Sequence, residues 1–200
     1  AFAEQAVAAG VRRLVLLSGR GEEGARLAEQ RIQDAGAAWT ILRAAFFAQN
    51  FDESFLVEPV LAGEVAFPAG DVAEPFVDAD DIADVAVAAL TGPGHEARIH
   101  ELTGPRLLTF ADAVSTIAGA IGRPIRYLPV SSGDYRDLLV GHGVPPAYAT
   151  QLTDLFTEVL DGRNTSVAPG VRDVLGREPR DFADYARAAA ATGVWDGDAR

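Results

Sequence analysis

Residues 11–43 read VRRLVLLSGRGEEGARLAEQRIQDAGAAWTILR, and this stretch decides the fold. Val11 to Ser18 holds the apolar run Leu14 to Leu17, as expected of a strand covered on both faces of a parallel sheet. From Glu22 to Ala35 the apolar residues Ala25, Ala28, Ile32 and Ala35 recur at helical spacing, and Gly36 stops them. Trp39 to Arg43 is again β-rich, with Trp39 read as core. Strand, helix and strand in so short a span form a βαβ unit, which pairs its strands in parallel through a right-handed crossover. The class is therefore α/β.

Working outward, Ala3 to Ala9 reads as the end of a helix closed by Gly10. Phe46 to Leu61 is apolar and helical, with Pro59 interrupting it, and 63–76 is a loop carrying short strands. Asp78 caps a helix whose apolar stripe is Ile82, Val85, Ala86, Ala89 and Leu90. Ala97 to Thr103 alternates as a strand does. Thr109 caps a helix with Phe110, Val114, Ile117, Ala118 and Ile121 on one face, and Pro124 to Val130 is a short strand. The rest is mostly helical: Leu152, Leu155, Phe156, Val159 and Leu160 form a stripe ended by Gly162. A loop follows at 164–170, and Phe182, Tyr185, Ala186 and Ala189 mark a last helix. The expected organisation is a parallel α/β part over 1–103, a smaller helical part over 104–195 and a frayed tail at 196–200.

The formal net charge of −12 argues against nucleic acid, whose recognition needs a basic patch, and against anionic membrane surfaces. No apolar run reaches membrane-spanning length, and 1–10 lacks the pattern of a signal peptide. With no cysteine there is no thiolate nucleophile and no thiolate metal site. A cytoplasmic location is the expectation. All 17 basic residues are arginine, so no lysine is present for Schiff-base chemistry or a Tyr-x-x-x-Lys relay. The chain has no methionine, even at position 1, which reads as a fragment of a longer chain.

Gly19-Arg20-Gly21-Glu22-Glu23-Gly24 is a literal G-x-G-x-x-G between strand and helix. In dinucleotide folds such glycines let the backbone approach a pyrophosphate. Here Glu22 and Glu23, expected in the first helical turn, would repel it but suit the helix dipole. The ribose-binding acid after the next strand is missing, for Arg43 and Ala44 stand there. The stretch reads as a plain strand-to-helix turn.

Four blocks follow in order: VRRLVLLSGRGE, WTILRAAFFAQNF, PFVDADDIADVAVAAL and ELTGPRLLTFADAV, with GRPIRY, LDGRN and GREPRDFADY later. Together they resemble the NmrA-like family, an atypical branch of the short-chain dehydrogenase/reductases, and especially its bacterial NAD(P)H-binding members and relatives of the ergot-alkaloid reductases. The resemblance implies a Rossmann-like parallel sheet, of which this chain carries the later strands, and a smaller, mostly helical C-terminal substrate cap. It implies NADP or NAD as cofactor, with the phosphate loop lying before Ala1, so residues 1–200 alone are expected to be inactive. Ser18, Gly19, Ala44, Ala45 and Phe46 resemble positions lining the nicotinamide half of the cofactor site, and Phe47 and Asn50 would face a small-molecule substrate.

The departure from better-known relatives is chemical. Ser18 stands near their serine, but their tyrosine and lysine positions fall near Gly21 and Ala25. Reduction would then need an electrophile undemanding of acid catalysis, or another donor. No catalytic residue is assigned from sequence; Tyr127, Tyr135 and Tyr148 of the cap are the tyrosines to test as another donor. Asp78, Asp80, Asp81 and Asp84 read as capping and a solvated helix face rather than a metal site. His95, His100 and His142 are too scattered to ligate one. Arg43 is expected to pair with Asp80, Asp81 or Glu29. Two readings stay open: an NAD(P)H-dependent reductase of a small apolar quinone, imine or enone, and a non-catalytic redox sensor acting through a protein partner. A homo-oligomer is compatible with either.

Overall fold

The computed structural model describes residues 2–197; Ala1 and positions 198–200 of the expected tail lie outside the described residues. Helix α1 (Phe2–Ala8) ends ahead of Gly10, whose φ of +93° suits glycine. Strand β1 (Arg13–Gly19), helix α2 (Ala25–Gln33) and strand β2 (Ala38–Ala44) follow as the expected βαβ unit, paired in parallel with Leu16 opposite Ile41. Strand β5 (Arg98–Leu102) completes a parallel sheet ordered β1-β2-β5.

Alternation along β2 decides which helix covers which face. Arg43 and its register partner Ser18 lie on the face covered by α2, where both meet Glu29. Leu42 and Leu102 point the other way, into a cluster with Ile82 and Val85 of α4 (Ala79–Thr91) and Val171 of α8 (Gly170–Leu175). Ile41 and Leu42 are almost fully buried, each contributing about 2 kcal/mol of apolar transfer energy.

Between β2 and α4 the chain runs through a 3-10 turn (Ala48–Phe51), α3 (Val57–Ala62), β3 (Glu64–Phe67) and β4 (Ala73–Glu74). The single helix expected over Phe46 to Leu61 is thus two short pieces. Pro59 interrupts nothing: it is the third residue of α3, where no backbone donor is needed. After β5 come β6 (Leu108–Thr109), α5 (Phe110–Ile121) and β7 (Arg126–Pro129), which pairs in parallel with β3, while β6 pairs antiparallel with β4. Thr109 and Asp112 close α5 with a capping box. Helices α6 (Ser132–Gly141), α7 (Pro146–Val159) and α9 (Phe182–Ala191) complete the fold. Their apolar faces enclose a second cluster built on Phe51, Phe67, Phe76, Phe110 and Trp195.

Five sequence expectations are corrected. Leu17 is 49% exposed, so β1 is not covered on both faces along its length, and Trp39 is half-buried. Leu90 is exposed rather than part of the buried stripe of α4. Glu22 and Glu23 precede α2, which begins after Gly24, so they do not act on its dipole. Asp81 is not on a solvated face: it is fully buried and gripped by Arg177 at 2.7 Å and Arg180 at 2.5 Å, tying α4 to the segment between α8 and α9.

Candidate functional site

In an open parallel sheet the carboxyl ends of the strands face the ligand crevice. Here β1 ends in Ser18 and Gly19, and β2 ends in Ala44, continuing into Ala45, Phe46 and Phe47. These residues form the floor of a cleft of about 360 Å³, within the size range of small-ligand sites. Asn50 of the 3-10 turn, Phe55 and Glu74 of β4 form its side. Leu152, Leu155, Phe156, Val159 and Leu160 of α7 and its end form the roof, and Asn164 stands at the rim. Larger hollows lie between α1 and α2 and between α3 and α6. Neither lies where the strand ends converge, and among the described residues the strand-end cleft alone of the three is lined by a carboxyl with a buried oxygen that makes no hydrogen bond.

Local hydrogen bonding sets the floor. Ala48 N–H donates to Val77 O and Val77 N–H to Phe46 O, so 46–48 runs extended beside 77 before the turn begins. Asp78 caps α4 through Asp80 N–H and also accepts from the Gln49 side-chain amide at 2.9 Å. Gln49 Oε1 in turn accepts from Ala79 N–H. This exchange fixes the turn that carries Asn50. Phe46 meets Phe55, Phe67, Phe76 and Phe110 edge-on, at centroid separations of 5.1 to 6.3 Å, and stiffens the apolar wall.

The rim is polar and stitched. Arg20 donates to Glu101 at 3.1 Å and to the Asn164 and Ser166 carbonyls at 3.0 and 2.8 Å. Asn164 returns a bond to Arg20 O, and Glu23 N–H donates to Glu158 of α7. The Arg20 and Glu23 amides of the G-x-G-x-x-G turn are therefore engaged within the protein, Arg20 N–H donating to Ala44 O. The turn joins strand to rim.

All seven residues expected at a ligand site from sequence (Ser18, Gly19, Ala44, Ala45, Phe46, Phe47 and Asn50) line this one cleft. Ser18 differs in detail, since its hydroxyl donates to Glu29 Oε1 at 2.7 Å. Arg43 pairs with Glu29, not with Asp80 or Asp81. Tyrosines do not reach the cleft. Tyr127 and Tyr185 donate to Phe67 O and Asp52, Tyr135 is packed in the core, and Tyr148 is exposed. Burial pushes Tyr127 and Tyr135 up to about 12. His95 and His100 face each other at 3.3 Å, and no cluster suited to a metal occurs among the described residues. No helix among the described residues is long and apolar enough to cross a membrane.

Among the lining groups that escaped sequence reading are the α7 stripe, Arg20, Glu22 and Glu74. The stripe looked like ordinary core, yet all five of its residues line the cleft. Glu74 is 1% exposed, and its Oε1 is fully buried with no hydrogen-bond partner. Desolvation raises its pKa to about 7, against a partial opposing pull from Arg20. Glu22, also lining the cleft, is raised by burial and by Glu158.

The floor suits a planar ring. Ala44 and Ala45 present only methyl groups, and Gly19 presents none; the Glu22 carboxyl rests where a Gly19 side chain would project, 2.0 Å from an ideal Cβ. A dinucleotide's nicotinamide end laid there would meet small residues and displace one flexible, half-buried glutamate.

No family model matches the chain. It is 35% identical over 164 residues to the NAD(P)H azoreductase of Xenophilus azovorans, covering 82% of this chain and 57% of that protein. It is 34% identical over 193 residues to the (4-alkanoyl-5-oxo-2,5-dihydrofuran-3-yl)methyl phosphate reductase of Streptomyces griseus, covering 92% of this chain and 68% of that protein. In structure it resembles an NADPH-dependent quinone oxidoreductase of Escherichia coli, with a TM-score of 0.80 at 20% identity, over 95% of this chain and 70% of the other. The chain thus spans little more than half the length of some curated relatives.

Proposed function

As the chain belongs to the NmrA-like family of atypical short-chain dehydrogenase/reductases, we propose that it forms the nicotinamide side and substrate cap of an NAD(P)H-dependent reductase acting on small apolar electrophiles. The observation that carries this is the convergence of the two strand ends, with their side-chain-poor floor, beneath the apolar roof of α7. Ser18, Gly19, Ala44, Ala45 and Phe46 would hold the nicotinamide end, and Phe47 and Asn50 would face the substrate. When bound, the reduced nicotinamide supplies a hydride. Part of the protein's own share is positional: Phe46, Phe55 and Phe156 exclude water and hold a flat apolar molecule against the floor, where alignment of reacting atoms lowers the barrier. Quinones, imines and enones fit an apolar slot of this size.

The test is NADPH oxidation by the natural protein, followed across quinone, imine and enone acceptors. Turnover with at least one class is expected. Absence of turnover across the panel overturns the reading, and tight dinucleotide binding without hydride transfer would instead favour a sensor.

A further inference from the structure

We propose that Glu74 is the proton donor of the cleft, taking the place of the absent tyrosine, and that it fits the protein to conjugated carbonyl substrates of the quinone type. This rests on the reductase reading above. Glu74 projects from β4, which is held against β6 and, through Ala73 O, by the Thr165 hydroxyl at 3.1 Å. It is all but inaccessible to solvent, it lines the cleft, and one carboxyl oxygen meets no donor among the described residues. Ionised, it would leave a buried charge without a direct partner, a costly arrangement. Protonated, it presents an O–H that needs an acceptor, and the ligand space of the cleft is where one would sit.

The charged groups lining the cleft are Arg20 at the end of β1, Glu22 in the following turn and Glu74 itself. Arg20 is already committed to Glu101 and the 164–166 loop, so it tempers Glu74 without neutralising it. Glu22 is answered by Glu158 rather than by a cation. A neutral acid beside aromatic walls favours a neutral acceptor over a cation. A quinone oxygen is such an acceptor.

In the step, Glu74 gives its proton to one carbonyl oxygen of the quinone as a hydride, with its electron pair, adds to the conjugated system from the reduced nicotinamide. The carbonyl π pair becomes the O–H bond of a hydroquinone after enolisation, the two electrons having come with the hydride, and the Glu74 carboxylate, shut from solvent while the cleft is filled, recovers a proton once the product leaves it.

The experiment follows the Glu74 carboxyl directly, by NMR of protein labelled with carboxyl-13C glutamate and assigned with Glu74→Gln, without and with 1,4-naphthoquinone. In parallel, kcat/KM for NADPH-dependent naphthoquinone reduction is measured against pH. The proposal expects titration near 7, moved upward by the quinone. It expects kcat/KM to fall above about pH 7, and Glu74→Gln to lose about 100-fold or more and abolish that limb. A signal titrating near its ordinary 4.5, or unmoved by quinone up to its solubility limit, overturns it. So does undiminished turnover in Glu74→Gln. A quinone-shifted signal in a wild-type protein that oxidises no NADPH overturns the reductase reading while upholding Glu74 as the donor contacting the ligand.

Discussion

Arg43 holds Glu29 with two edges of its guanidinium, Nη2 donating to Oε2 at 2.6 Å and Nε to Oε1 at 2.8 Å, inside the contact between α2 and the sheet. Ser18 adds a third bond to the same carboxylate, and the pair holds the Glu29 carboxyl below its usual range. Three donors satisfy one buried acid, so loss of Arg43 or Glu29 alone leaves the other's charge facing apolar surroundings. Arg43→Leu should destabilise the protein by about 3 kcal/mol, and Glu29→Leu added to it should restore part of that loss. Urea unfolding of the two variants checks both signs.

The same carboxylate makes Ser18 a poor proton relay. Its hydroxyl hydrogen points to Glu29, so Ser18→Ala should lower stability by about 1 kcal/mol and leave any reductase kcat within about threefold of wild type. A loss of 100-fold or more in kcat at unchanged KM would show the hydroxyl acting on substrate.

Gly170 opens α8 against the end of β5, where an added Cβ would lie 2.2 Å from the Glu101 carbonyl oxygen. Backbone cannot step aside as a side chain can, so Gly170→Ala should cost about 2 kcal/mol or more and loosen the packing of α8 on β5. Gly176→Ala, with open space but φ of +67°, should cost about 1 kcal/mol. Thermal unfolding of both separates close approach from backbone strain.

What was legible in the sequence follows the physics of each signal. The Leu14–Leu17 run and the Glu22–Ala35 spacing are local patterns, and they located β1, α2 and β2 to within a few residues. The caps at Asp78 and Thr109 depend on bonds two or three residues away and were readable for that reason. The floor residues were legible because strand ends define a crevice wherever the sheet is parallel. The roof was not: an apolar stripe on α7 looks alike whether it faces core or cleft, and which it faces depends on contacts across 100 residues. Asp81 illustrates the same limit, since its partners Arg177 and Arg180 lie far along the chain. Glu74 was illegible as a site residue because a single acid carries no periodicity; only its burial and its unpaired oxygen distinguish it.

Burial of Glu74 has a consequence for stability that is separate from any chemistry. Its folded pKa of about 7 stands above the ordinary 4.5, so the folded state binds its proton more tightly than the unfolded chain does. Such a group favours folding fully below the unfolded value, and that advantage disappears as pH rises through the folded one. Wild type should therefore lose up to about 3 kcal/mol relative to Glu74→Gln between pH 4.5 and 7, with little further change above. Glu29 acts with the opposite sign: its pKa is lowered by Arg43, so its contribution is present above 4.5 and vanishes in acid. Unfolding free energies of wild type, Glu74→Gln and Glu29→Gln measured from pH 3 to 8 should give difference curves that slope in opposite directions, the first between pH 4.5 and 7 and the second below 4.5. A flat difference curve for Glu74→Gln across this range would mean that the carboxyl is solvated, and that β4 does not bury it as described.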